Sequence, residues 1–180
     1  MATLARVAPF CQEMPFMRSV LFVAAILVLG SPSHAAAQLR SDMAMTEKKG
    51  ASIGYYERGC GESWAECQRA ELKCDKPGDF KASAQDYSND EIAAFLSDAK
   101  AEAALLVDAH TFKLRPTEMV MNEMNGSWDV SFDGQDSAND IWRALRTAQS
   151  LKMKVGRRAL VLPITKDFKA AVAVCARGSR

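Results

Sequence analysis

The sequence predicts an α+β fold, an antiparallel sheet of about six strands with three or four helices, stabilised by disulfides. Three observations carry that expectation. Two consecutive segments, 103–115 and 118–132, read as β-hairpins, and hairpins impose antiparallel pairing. Phe168, Ala171, Val172 and Cys175 recur at i, i+3, i+4 and i+7, the apolar stripe of a helix lying on a core. Four of the five cysteines follow a segment with the anatomy of an export signal.

That segment is 17–37, within a leader of residues 1–37. Met17-Arg18 gives a positive start, and 20–29 is an unbroken apolar run. Gly30 and Pro32 break the run, and Ala35-Ala36-Ala37 supply the small residues of a cleavage site. The run falls short of the roughly twenty apolar residues that span a bilayer. No transmembrane segment is expected after cleavage, which is expected after Ala37. Residues 38–52 are polar without an apolar period and read as a disordered arm, so one domain is expected over 53–180. Apolar residues make up 48% and charged residues 25%, and the formal charge of +1 gives no electrostatic case for nucleic acid or an anionic surface.

Within the domain, Cys60, Cys67 and Cys74 are spaced seven apart, and Glu62, Ala65, Glu66 and Leu72 favour a helix over 63–72. Two short strands, 63–67 and 71–74, are the other reading. Residues 77–87 read as a linker. Ser88 and Glu91 form a capping box for a helix carrying Ile92, Phe95, Leu96 and Ala99. Asp108-Ala109-His110 turns the first hairpin, and Pro116 ends its return strand. Asn125-Gly126 turns the second, as a type I′ turn into the strand 128–132. Ser137 caps a helix running to about residue 150. Strands 151–155 and 158–164 flank Gly156-Arg157, and Thr165 caps the last helix. Cys60, Cys67, Cys74 and Cys175 are expected to form two disulfides; three pairings are open, and Cys175 must reach back to the earlier segment.

The catalytic inventory is thin. There is no Cys-x-x-Cys, no zinc-ligand spacing and no haem-attachment pattern, so neither metal nor cofactor is expected. His110 beside Asp108 is the one imidazole outside the leader, and it falls in a turn; a Gly-x-Ser-x-Gly elbow is absent. Glu118 with Glu123 and Asp129 with Asp133 do not converge on one point. Catalytic residues are therefore expected to be none. Asn125-Gly126-Ser127 fits a glycosylation acceptor, but a turn explains each residue in it. Lys152, Lys154, Arg157 and Arg158 form a basic tip, by default solvated, alternatively for an anionic partner. Met119, Met121 and Met124 with Trp128 form a candidate ligand patch, since methionine adapts to varied apolar partners.

The run Phe132-Asp133-Gly134-Gln135, then Leu151-Lys152-Met153-Lys154-Val155, then Leu160-Val161-Leu162-Pro163-Ile164 and Phe168-Lys169-Ala170-Ala171 resembles the invasion-associated locus B family. The resemblance spans about residues 103–175. It implies a small exported bacterial protein, tied to the envelope or to host interaction, with no catalytic residues to carry over. The expected function is an exported, non-enzymatic binding or envelope-associated protein, periplasmic or secreted, with an envelope or protein partner. The alternative is a small periplasmic inhibitor of an extracytoplasmic hydrolase, presenting a rigid loop near 60–74.

Overall fold

The protein is described from a computed structural model over residues 39–47, 49–59, 67–99 and 101–177; the leader and Cys60 lie outside these. The strands are β1 (Leu39–Met45), β2 (Ala51–Glu57), β3 (Gln68–Cys74), β4 (Lys81–Tyr87), β5 (Ala103–Val107), β6 (His110–Asn122), β7 (Ser127–Asp133), β8 (Leu151–Val155) and β9 (Arg158–Val161). The helices are α1 (Asn89–Ser97), α2 (Ala138–Thr147) and α3 (Lys166–Cys175). The sheet has nine strands in the order β1-β2-β3-β4-β7-β6-β5-β8-β9, antiparallel throughout, and it curls into a half-barrel. This corrects the expected α+β fold of about six strands: among the described residues the molecule is mostly sheet, with three short α-helices.

The extra strands come from segments that carry little apolar bulk. The arm expected at 38–52 instead contains β1, paired along its length with β2 and anchored by buried Leu39. The helix expected over 63–72 is overturned where it can be seen. From Gln68 onward the chain is β3, with Ala70, Leu72 and Cys74 inward and Arg69, Glu71 and Lys73 outward; 63–66 lies outside the described residues. The linker expected at 77–87 contains β4, whose inward residues Ala82 and Ala84 are too small to announce a strand.

Register builds one core stripe across the sheet. Ile53 faces Leu72, Leu72 faces Ala82, and Ala82 faces Phe132, all fully or nearly fully buried. A second stripe runs Phe112, Leu105, Met153, Leu160. The two meet at β6, whose residues 110–114 pair with β5 and 115–122 with β7. Pro116 does not end this strand. It sits at a register shift between Pro116 and Glu118, a bulge that absorbs the missing N–H and bends the sheet.

Helix α3 closes the core over β1 and β2, burying Phe168, Ala171, Val172 and Cys175 as its stripe requires. Thr165 caps it, accepting from the Phe168 N–H at 3.2 Å. Ser88 and Glu91 complete their capping box on α1. Ser137 makes no side-chain cap; a 3-10 turn over Gln135–Ser137 leads into α2 instead, and α2 ends at Thr147. Trp142 of α2 is fully buried, its indole N–H donating to the Asp79 carbonyl at 2.5 Å. Cys74 at the end of β3 is bonded to Cys175 at the end of α3, with a Cα–Cα distance of 5.7 Å. Cys67 is disulfide-bonded too. Gly50 lies where another residue would not fit: a Cβ there would stand 2.0 Å from the Cys74 carbonyl oxygen.

Candidate functional site

The β6–β7 hairpin carries Val120, Met121 and Met124 among the large apolar side chains that face solvent; Met45, Leu96 and Val161 are exposed singly on other elements. Met121 is directly opposite Trp128, and Met119 opposite Val130, so these four share the core face of the sheet. Toward the tip that face runs out of cover. Val130 is buried, Met119 and Trp128 are half-buried, Met121 is 46% exposed, and Met124 in the turn is 86% exposed. Val120 points to the opposite face and is 51% exposed. The structure thus brings Met119, Met121 and Trp128 together, sets Met124 beyond them, and adds Val120, which its place among methionines gave no reason to single out.

The tip is a tied loop of residues 123–126, not the expected two-residue type I′ turn. Gly126 takes φ 68° and donates to the Asn122 carbonyl at 2.8 Å. The Asn125 carboxamide oxygen accepts from the Ser127 N–H at 3.0 Å and its hydroxyl at 2.7 Å, which satisfies the buried serine. Asn122 does the same for the Met124 N–H at 3.1 Å. The indole N–H of Trp128 donates to the Asn89 side chain at 2.7 Å, tying the hairpin to the start of α1. Residues 119–121 pair with β7 alone, and no backbone bond crosses their far edge among the described residues.

A recess of about 530 Å3 lies between α1 and the β8–β9 turn. Tyr87, the neighbour of Trp128 across β4 and β7, is buried at it. Burial pushes the Tyr87 hydroxyl up to about 12, so it stays protonated. Arg158 lies 4.7 Å above the Tyr87 ring and donates to the Asp86 carbonyl at 2.7 Å. Of the basic tip read from sequence, Lys154, Arg157 and Arg158 line this recess and Lys152 does not.

The residues weighed for catalysis are engaged elsewhere. The Asp108 carboxylate accepts from the Ser150 N–H at 2.7 Å, the Gln149 N–H at 2.9 Å and the Ser150 hydroxyl at 3.2 Å. Those backbone donors hold its carboxyl below the usual range. It closes a loop, while His110 stacks on Phe112 with centroids 6.4 Å apart. Asp133 is paired with Arg115 at 2.5 Å. Asp129 accepts from the Asp86 N–H at 3.3 Å, and burial raises its carboxyl. Glu118 and Glu123 are exposed beside the methionines. Among the described residues no three acidic, histidine or cysteine side chains are grouped to hold a metal ion. No family model, no curated protein and no solved structure matches the chain.

Proposed function

We propose that this chain is an exported, non-enzymatic binding protein that engages a protein partner of the cell envelope through the β6–β7 tip; export and an envelope role are what a resemblance to the invasion-associated locus B family would imply. The observation that carries this reading is the exposure of Met121 at the end of β6 and of Met124 on the adjoining loop, which is fixed by its own hydrogen bonds. Exposed apolar side chains gathered on a pre-organised loop favour association, since little ordering entropy remains to be lost. Glu118 and Glu123 beside them disfavour an anionic lipid surface. The open edge of β6 offers strand pairing to an extended segment. The buried Cys74–Cys175 bond suits an oxidising compartment. No helix among the described residues is long and apolar enough to cross a membrane.

The test is site-specific photo-crosslinking in the exporting cell. A crosslinker replacing Met124 gives one discrete protein adduct, and Met121→Ser weakens it. The same crosslinker at exposed Lys152 gives none. No adduct from position 124, or the same adduct from position 152, removes the hairpin as the binding surface.

A further inference from the structure

The recess beside α1 separates its charges by wall. Its carboxylates, Asp90, Glu91, Asp98 and Glu102, all come from α1 and the residues just after it. Its cations, Lys154, Arg157 and Arg158, all come from the β8–β9 hairpin. Phe95 and Tyr87 also line it. The walls are held at a fixed spacing. Gly156 takes φ 57°, its N–H donates to the Glu102 carbonyl at 3.1 Å, and a Cβ on it would stand 3.4 Å from the Phe95 ring.

Several of these charges are already used within the fold. Glu91 is held in the capping box and lies 3.9 Å from Arg158 across the recess, Glu102 pairs with Lys113 at 2.6 Å, and Arg158 is also held by Asp86 and the Tyr87 ring. Asp90 on one wall and Arg157 on the other make no ion pair or hydrogen bond among the described residues, while Lys154 attracts Glu102 through space. A simple anion entering here would meet the carboxylates, and a simple cation the bases. A molecule carrying both charges suits both walls. The volume of about 530 Å3 belongs with pockets that hold small organic molecules, well above what a single ion fills.

We infer that the recess binds a short peptide with free termini, its ammonium toward Asp90, its carboxylate toward Lys154 and Arg157, and its side chains over Phe95. This does not depend on the hairpin reading.

The experiment follows backbone amide shifts of the exported, oxidised protein during titration with trialanine, N-acetyl-trialanine and trialanine amide. Free trialanine is expected to give saturable shifts confined to residues 87–102 and 154–158. Blocking either terminus weakens binding about fivefold, as the loss of one partly exposed ion pair does. Asp90→Asn should weaken free trialanine by the same factor yet leave the N-acetyl peptide unchanged, and Arg157→Gln should do so with the amide. Either variant keeps the fold's own bonds, so unfolding does not cloud the result. The absence of saturable shifts, equal binding of a blocked peptide, or shifts centred elsewhere would overturn the proposal.

Discussion

Replacing Cys74 and Cys175 together by alanine tests what holds α3 on the sheet. The bond joins residues 101 apart in sequence. Cross-linking a loop of about 100 residues removes denatured-state entropy equivalent to about 4.7 kcal/mol at 25 °C. Both cysteines are fully buried, so the alanines leave only small voids and the loop term dominates. A loss of about 4 kcal/mol is a large share of the 5–15 kcal/mol typical of a domain. In urea, with a slope of about 2 kcal/mol per molar, the midpoint should fall by about 2 M. The slope should rise as well, because an uncrosslinked unfolded chain exposes more surface. Equilibrium unfolding followed by tryptophan fluorescence reads both quantities. A midpoint shift under about 0.3 M would refute the argument that this bond constrains the unfolded chain. A large shift with an unchanged slope would place its effect in native packing instead.

Other substitutions follow from single contacts. Gly50→Ala forces a Cβ into the Cys74 carbonyl and should cost about 2–3 kcal/mol by the same urea assay. Tyr55 is fully buried, and its hydroxyl has no hydrogen-bond partner among the described residues. Tyr55→Phe should therefore leave stability unchanged or raise it by about 1 kcal/mol; a comparable loss would contradict the burial of an unsatisfied hydroxyl. The carboxylates divide by environment. Lys81 and Lys73 hold Asp75 below the usual range, as backbone donors hold Asp108. Those two contribute stability that is complete above the ordinary carboxylate value of about 3.9 and is lost as pH falls through their lowered values. Burial raises Glu71 and Asp129, which weaken the fold as pH rises from the ordinary value through the raised one. Carboxyl carbon NMR should find Asp75 and Asp108 titrating below Glu71 and Asp129, and the reverse order would contradict these assignments.

Helices α1 and α3 were legible because each carries its own terminal signal, whereas the cap expected at Ser137 does not form on α2. Ser88 with Glu91 and Thr165 before Phe168 act within four residues, and no tertiary contact overrides them. The C-terminal cysteine on a buried stripe also pointed back to the N-terminal segment, where its partner proves to be Cys74. The strands were legible only where bulky residues mark the alternation, as in β7 and β8. In β3 the alternation Arg69-Ala70-Glu71-Leu72-Lys73-Cys74 was present, but helix-forming residue types masked it. In β4 alanine fills the inward positions, and β1 is an edge whose outer residues meet water. Pro116 misled for a different reason: a bulge removes the need for its N–H, and nothing local encodes the bulge.

The candidate patch was legible through residue type alone. Its exposure depends on where the core stops along β6 and β7, which only the assembled sheet decides. The recess was less legible still, since α1 and the β8–β9 turn are more than fifty residues apart in sequence and meet through Gly156 and Phe95. Basic residues near the turn hinted at one wall. Nothing short of the packing of α1 reveals the other.

Peptide mapping and intact mass of the protein as the cell makes it, under conditions that trap free thiols, read the cysteine pairing and the start of the mature chain together. A mature chain starting near Gln38 with Cys74 joined to Cys175 is expected. Cys67 should then be joined to Cys60, since cleavage near Gln38 would remove Cys11. Free thiols on an uncleaved chain, or Cys175 joined to any other cysteine, would contradict it.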